Sequence, residues 1–246
     1  MAPEVQETSP PPPGRVFPRA AALRRRVTAR GALRAVAGWV RSAPGTHVWL
    51  LVLAVTTSIA AGLSPRLRLY LLHHVSTNLV ELHTHPVRVL VASAFWIETP
   101  SGLLFYAALF ELVHATAERW LGTARWLFVA TLAHVGATLV SQKAVFFGIR
   151  HDHLPRSLAD TIDIGVSYGL AGVVGVLAYR VPRPWRWLYL LGVLGFFTSQ
   201  LLRKGSFTDL GHLTAVLIGL CCHAVTSPLP SRRPARGEAA RVKRSG

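Results

Sequence analysis

The sequence contains long stretches in which nearly every residue is apolar, and these stretches restrict the folds available to the chain. Their apolar residues do not recur at the period of an amphipathic helix or of a strand, so each stretch would be apolar on all sides. Such helices are surrounded by lipid or by other helices, and about 20 apolar residues cross a bilayer. We therefore predict an all-α polytopic membrane protein with six transmembrane helices, at residues 47–63, 102–121, 125–141, 162–179, 185–202 and 207–225.

Basic residues are concentrated at both ends of the chain and in alternate connections between the apolar stretches. The net charge is +16, which in a soluble protein would suggest nucleic acid as the partner. Here the placement follows the positive-inside rule, by which Lys and Arg accumulate on the cytoplasmic side of a membrane. We expect the lipid bilayer as the partner, with no nucleic acid. We also expect a location in the cell membrane, with both termini in the cytoplasm.

Composition divides the chain into three regions. Residues 1–45 are basic and rich in proline, which predicts a disordered cytoplasmic tail with a short basic helix near lipid headgroups. Residues 46–226 hold the six apolar stretches and form the predicted membrane domain. Residues 227–246 are again basic and are predicted to be a disordered cytoplasmic tail. Within the membrane domain, the connection 64–101 is too long for a simple loop, so we expect an amphipathic segment in the outer interface.

A serine and a histidine lie at the same depth in two of the predicted spans. Spans two, four and six all run from the outer to the inner side, so their first turns share one level. Ser167 and His212 each lie about five residues into their spans, on the order of 8 Å below the start. A serine becomes an effective nucleophile when a base such as histidine takes its proton. This spacing suggests a Ser–His dyad. The alternatives are a serine bonded to its own helix and a histidine that only packs.

Small residues surround the serine in span four. Gly165, Gly169 and Gly172 form one stripe of the helix, and Gly175 shares another stripe with Ser167. Small residues let membrane helices pack with their backbones close together. We therefore expect span four to lie in close contact with its neighbours.

The serine and histidine stretches resemble two motifs of the rhomboid family of intramembrane serine proteases. Gly165 and Ser167 match the family's GxS pattern early in the fourth span. His212 and Gly219 match its H-x-x-G-x-x-x-G pattern in the sixth span, with Ala215 in place of the first glycine. The resemblance implies a six-helix, rhomboid-like bundle in which these small residues pack the helices together.

Two further stretches are similar to the same family. Residues 118–122 resemble the E-[KR]-x-L-G run that ends the second span. Residues 88–95 resemble the R-L-L-T-S-A-F run that precedes this span, with one extra residue. The similarity covers roughly residues 45–226 and keeps the order of the motifs. It implies a divergent, rhomboid-like bacterial protein.

Three positions depart from the family's pattern near the dyad. Rhomboid proteases usually carry H-x-x-x-N early in the second span, where the two side chains help to hold the oxyanion, and this chain has Gly102 and Tyr106 there. Tyr168 follows the serine, where the family often has glycine. Loss of one oxyanion donor typically lowers turnover about 10²–10³-fold. The Tyr106 hydroxyl and the backbone N–H of Ser167 are the donors that remain.

The resemblance implies a protease that cuts transmembrane protein substrates near the outer membrane face and needs no cofactor. His212 would take the proton of Ser167, which would attack a peptide carbonyl, and the altered oxyanion region would make the enzyme slow. A second reading is a proteolytically inactive, rhomboid-like protein that binds membrane clients in the same cavity.

A third reading, a metal-binding or transport protein, comes from residues outside the dyad. Glu111, His114 and Glu118 form an E-x-x-H-x-x-x-E pattern in span two, and His134 lies in span three. Ligands at this spacing share one helix face, as in di-iron bundles, although such sites use a second copy of the motif. A transporter would need paired repeats or broken helices, and the sequence has no convincing repeat.

Three acidic residues lie near the outer starts of spans four and six: Asp160, Asp163 and Asp209. Acids at helix N-termini are stabilised by the helix dipole and by hydrogen bonds to free N–H groups. We expect that role for them in preference to a third member of a catalytic triad.

Overall fold

The computed structural model describes residues 29–227, and every regular element in this part of the chain is helical, which confirms the all-α prediction there. Helix α1 (Ala29–Ser42) begins in a compact unit of its own that ends at Trp39. Residues 29–42 form a helix within the region for which the sequence predicted a disordered tail containing a short basic helix. The rest of that prediction, and the tail predicted beyond residue 227, lie outside the described residues. The elements that follow belong to the second unit, from Val40 onwards.

Long helices alternate with short ones in the second unit. A π-helical turn at Phe110–Ala115 joins α6 to α7, and short 3₁₀ turns occur at Ser93–Phe95, Pro100–Gly102, Arg156–Asp160 and Cys222–Thr226. The α-helices follow in chain order: α2 (Pro44–Gly62), α3 (Pro65–Val75), α4 (Leu79–Thr84), α5 (Pro86–Ala92), α6 (Leu103–Leu109), α7 (Thr116–Leu121), α8 (Thr123–Arg150), α9 (Val166–Leu177), α10 (Trp185–Lys204) and α11 (Phe207–Cys221).

Three helical segments of the described chain are long and apolar enough to cross a bilayer: Pro44–Gly62, Thr123–Arg150 and Phe207–Thr226. A fourth span results if Pro86–Phe95 and Pro100–Leu121, which are bent by 60° at their break, count as one. Helix α9 has 12 residues and extends about 18 Å, less than the roughly 30 Å hydrocarbon core. Helix α10 is long enough but less apolar. The described residues therefore define a helical membrane protein with three or four candidate spans, and not the full set of six.

Helix α8 continues to Arg150, well beyond the end predicted at Ser141. The prediction ended the span where the polar residues Gln142 and Lys143 begin. Gln142 is instead buried, and its Nε2 donates to Oδ2 of Asp163 at 3.1 Å. This bond pairs the amide nitrogen with a buried acceptor inside the protein, so Gln142 does not mark the end of the helix as its polarity suggested.

The N-terminus of α2 is capped by a side chain from α7. Glu118 is buried, and its Oε1 accepts hydrogen bonds from Gly45 N at 2.9 Å and Thr123 Oγ1 at 2.7 Å. Its Oε2 accepts from both N and Oγ1 of Thr46, each at 2.7 Å. An anionic acceptor at this position satisfies N–H groups that α2 cannot bond internally and complements the helix dipole. This cap ties α2 to the α7–α8 corner, where Gly122 makes the turn with φ at 82°.

Helix α9 packs against both α8 and α11, and small residues let the three backbones approach closely. A Cβ on Gly172 would lie 2.1 Å from the Ala133 Cβ of α8 and 3.3 Å from the Ala215 carbonyl oxygen of α11. A Cβ on Gly219 would lie 1.9 Å from the Gly172 carbonyl oxygen. A Cβ on Gly175 would lie 2.3 Å from the Val216 carbonyl oxygen. These predicted packing residues therefore lie at the crossing of α9 with α8 and α11.

Candidate active site

Ser167 and His212 meet where α9 and α11 begin. Ser167 lies in the first turn of α9 and His212 in the second turn of α11. The His212 Nε2 and the Ser167 Oγ are 2.8 Å apart, within hydrogen-bonding distance, and both residues are partly buried. This is the arrangement in which an imidazole can take the proton of a serine hydroxyl.

The backbone just before Ser167 is held by a histidine of α8. His134 is buried, with its Nδ1 3.1 Å from the Gly165 carbonyl oxygen and its Nε2 2.8 Å from the Leu90 carbonyl oxygen. A Cβ on residue 165 would lie 1.9 Å from Cε1 of this ring, so a side chain cannot be placed there without displacing His134. Gly165 is therefore required by the contact that fixes the chain two residues ahead of the serine. Sequence reasoning assigned His134 only to a metal site and missed this role.

The residues that suggested a metal site are engaged in other contacts. Glu111 lies 3.0 Å from the His47 Nε2 and 3.6 Å from the Arg119 guanidinium. His114 accepts a hydrogen bond from the Trp126 indole N–H at 2.9 Å, and Glu118 caps α2. Within residues 29–227, no group of three or more His, Cys, Asp or Glu side chains could hold a metal ion.

The Tyr168 side chain lies inside the protein, where its hydroxyl meets a buried acid. The side chain is fully buried, and its hydroxyl donates to Oδ1 of Asp163 at 3.0 Å, with Ser141 and Thr208 beside it. The phenol ring lies edge-on to the His212 imidazole, with centroids 5.1 Å apart and planes at 70°. Tyr168 therefore packs against the dyad, while its hydroxyl is held elsewhere.

The two altered oxyanion positions lie on either side of the start of α6. Gly102 ends the 3₁₀ turn before this helix, where an added Cβ would lie 3.3 Å from the Ile97 side chain and 3.6 Å from the Thr99 hydroxyl. Tyr106 is in α6, and its hydroxyl lies near the Ser167 side chain. Of these two residues, Tyr106 is the one whose side chain can donate a hydrogen bond near the serine.

The three acids near the helix starts have three different roles. Asp209 belongs to the first turn of α11, where its N–H donates to the Ser206 Oγ at 3.1 Å and its Oδ2 accepts from the same hydroxyl at 2.6 Å, as expected for a helix start. Asp160 ends a 3₁₀ turn and lies 3.5 Å from the His73 Nδ1. Asp163 caps nothing, because its carboxylate is bound to Tyr168, Gln142 and Thr77. The capping prediction is therefore wrong for Asp160 and Asp163.

The fold and this arrangement define a helical membrane protein with a serine and a histidine in contact at the start of two packed helices. A family model described as a rhomboid-like protein matches residues 38–232, which is most of the chain, so the chain belongs to the rhomboid-like family. The resemblance seen in the sequence motifs is thereby confirmed. No curated protein and no protein of solved structure matches the chain significantly. Membership does not decide activity, since the family includes inactive proteins.

Proposed function

We propose that the protein is an intramembrane serine protease that cleaves transmembrane segments of other membrane proteins. The observation that carries the proposal is the 2.8 Å distance between the Ser167 Oγ and the His212 Nε2. Family membership supplies the membrane setting, and the close packing of α9 against α11 keeps the two side chains in register.

The chemistry runs through an acyl-enzyme. His212 takes the proton of Ser167 as the serine oxygen attacks a substrate carbonyl, and it then gives this proton to the departing amine. Water, deprotonated by His212, hydrolyses the ester and frees Ser167. An intact helix hides its carbonyls in internal hydrogen bonds, so the substrate must unwind locally before it can react.

The oxyanion of the tetrahedral intermediate has two donors in this proposal, the backbone N–H of Ser167 and the Tyr106 hydroxyl. Tyr106 is supported by the position of its hydroxyl near the Ser167 side chain. Gly102 provides no side-chain donor where the family has histidine. With one donor missing, we expect turnover about 10²–10³-fold below that of a complete oxyanion hole.

A six-span arrangement with both termini in the cytoplasm is part of the same proposal. The positive-inside rule supports this orientation, which places the start of α9 and α11 on the outer side. A reporter that is active only outside the cell should be silent when fused to the C-terminus and active when inserted in the connection 151–161. An active C-terminal fusion would show that the orientation is the opposite of the one proposed.

Gly102 also favours a second candidate function, an inactive protein that retains membrane clients without cutting them. Without the histidine donor, the region around Ser167 would bind an unwound segment and stabilise no oxyanion on that side. This candidate predicts capture of transmembrane clients that does not change in the Ser167→Ala variant.

The two candidates are separated by a fluorophosphonate probe, which reacts with activated serines without needing a known substrate. We expect labelling of the wild type, none in Ser167→Ala and a strong reduction in His212→Ala. Ser199→Ala is the matched control, because Ser199 is exposed on α10 and donates to the Phe196 carbonyl oxygen of its own helix at 2.8 Å. Equal labelling of the wild type and Ser167→Ala would refute the assignment of the nucleophile.

A further inference from the structure

Asp163 is a buried carboxylate that the proposed chemistry does not use. Only 2% of its surface is exposed, and three side chains donate to it: the Tyr168 hydroxyl at 3.0 Å, the Gln142 Nε2 at 3.1 Å and the Thr77 Oγ1 at 3.3 Å. A buried carboxylate is costly unless it is well bonded, so this one is held firmly by its donors. Its position is consequently fixed from three parts of the fold.

The main chain of Asp163 is fixed as well. Its N–H donates to the Ser76 Oγ at 2.7 Å, and its carbonyl oxygen accepts from the Thr77 N–H at 3.0 Å. These bonds join the segment before α9 to the connection between α3 and α4. The Asp163 carboxylate is therefore held in a fixed position. Of the residues that bond to it, Tyr168 is the one that contacts the dyad.

Tyr168 connects Asp163 to His212, the base of the dyad. Its ring is fixed at the hydroxyl end by Asp163 and meets the His212 imidazole edge-on. Gly211 leaves the space that the phenol occupies, since a Cβ there would lie 2.6–2.7 Å from three atoms of Tyr168. A tyrosine after the serine is accommodated in this chain because the residue before the histidine is glycine.

The imidazole needs orientation from such a contact. Within residues 29–227, the Ser167 hydroxyl is the one hydrogen-bond partner of the His212 imidazole. The Asp209 carboxylate is near enough to interact with the ring by charge, but it makes no hydrogen bond to it as in a Ser–His–Asp triad. The other ring against it is Phe197 of α10, with centroids 6.1 Å apart. Ring contacts therefore set the direction in which the His212 Nε2 points.

We propose that Asp163 and Tyr168 are positioning residues that hold His212 toward Ser167, with Asp163 acting through the tyrosine hydroxyl. The inference rests on the proposed protease function. No proton moves to Asp163: the acid orients a phenol ring, and the ring orients the base. Edge-to-face ring contacts are strong enough for a change in their geometry to alter the population of the productive imidazole orientation about tenfold.

The experiment measures the second-order rate constant for fluorophosphonate labelling of Ser167 in the full-length protein, together with kcat and KM for any cleaved transmembrane substrate. We expect Tyr168→Phe, which keeps the ring and removes the hydroxyl, to lower the labelling rate and kcat about 5–10-fold and to leave KM unchanged. Asp163→Asn should do the same, and the double variant should be no slower than the single ones because both act along one path.

Tyr179→Phe is the matched control. Tyr179 also bonds across helices, from its hydroxyl to the Leu220 carbonyl oxygen at 2.6 Å, but it lies beyond the opposite end of α9. Its loss should lower the thermal stability and leave the labelling rate as in the wild type. An equal drop in both Tyr→Phe variants would overturn the inference, because the effect would then be general loosening.

Two other results would also overturn it. One is a Tyr168→Phe protein that is labelled at the wild-type rate. The other is a double variant whose labelling rate falls by the product of the two single reductions. If Asp163→Asn does not fold, Tyr168→Phe and its control still decide the question. These failures leave Ser167 labelling intact and so leave the proposed function standing. If the wild-type protein is not labelled by the fluorophosphonate, both the proposed function and this inference are refuted.

Discussion

Replacement of Gly165 by alanine tests how tightly the chain is held in front of Ser167. The new Cβ would lie 1.9 Å from Cε1 and 2.3 Å from Nδ1 of His134, a ring that lies against carbonyl oxygens on two sides. Overpacking of this kind costs about 1–3 kcal/mol. Displacing the ring also leaves a buried polar atom unpaired, which costs about 1–3 kcal/mol more. We expect Gly165→Ala to lower the free energy of unfolding by about 2–6 kcal/mol and to abolish labelling of Ser167.

Gly169→Ala, in the first turn of α9 just after Gly165, is the matched control for this prediction. Its Cβ would lie 3.4 Å from the Trp49 ring and 3.6 Å from the Ala130 carbonyl oxygen, which are ordinary contacts. Because alanine favours a helix over glycine by up to about 1 kcal/mol, this variant should stay within about 1 kcal/mol of the wild type.

Equilibrium unfolding in mixed micelles, followed by circular dichroism, measures both Gly→Ala variants on one scale. Adding His134→Ala to Gly165→Ala should cost little more, because the clash and the lost contacts involve the same ring. A Gly165→Ala protein as stable and as reactive as Gly169→Ala would refute the steric reasoning.

Two more predictions concern the cap of α2 and the oxyanion. Glu118→Gln keeps the shape of the side chain but places an amide N–H against the donors of Thr46, or against those of Gly45 and Thr123. Thermal unfolding should show a free energy of unfolding lower by about 1–3 kcal/mol. An unchanged melting temperature would contradict the cap. Gly102→His combined with Tyr106→Asn should raise the turnover of a transmembrane substrate, about 10²-fold if one donor is restored. Tyr106→Phe alone should lower it, and equal turnover in all these proteins would mean that the oxyanion is held elsewhere.

The dyad could be predicted from sequence because its geometry is local to two helices. Ser167 and His212 lie at matching distances from the starts of their helices, and helical rise converts that spacing into equal depth. The small residues at 172, 175 and 219 mark where α9 meets its neighbours, so the sequence also indicated that the two helices pack closely. Spacing alone left a self-bonded serine and a packing histidine as alternatives, and the resemblance to the rhomboid family favoured the dyad over them.

The supports of the dyad could not be predicted, because their partners are distant or carry no side-chain signal. His134 contacts backbone carbonyl oxygens, and such oxygens occur at every residue. Asp163 was assigned to capping because acids favour helix starts, whereas its partners Gln142 and Thr77 come from α8 and from the connection after α3. The same long-range bond explains why the polar residue Gln142 lies inside α8 and does not end it.

The six-span prediction started from apolar stretches of the sequence, and two of these stretches form helices, α9 and α10, that do not qualify as spans by length and apolar composition. Helix α9 is short and nearly all buried against other helices, so its apolar residues face protein. Helix α10 has large exposed apolar residues and no buried ones, although its composition is less apolar than that of α8. Packing and apolar length therefore have to be judged together in this bundle.

The central claim is that His212 activates Ser167 toward electrophiles, and the site of a covalent adduct tests it most directly. After treatment with a fluorophosphonate, peptide mass spectrometry of the purified full-length protein should find the adduct on Ser167, with its formation strongly slowed in His212→Ala. An intact Ser167 in the treated wild type, or an adduct that forms at the same rate without His212, would contradict the account.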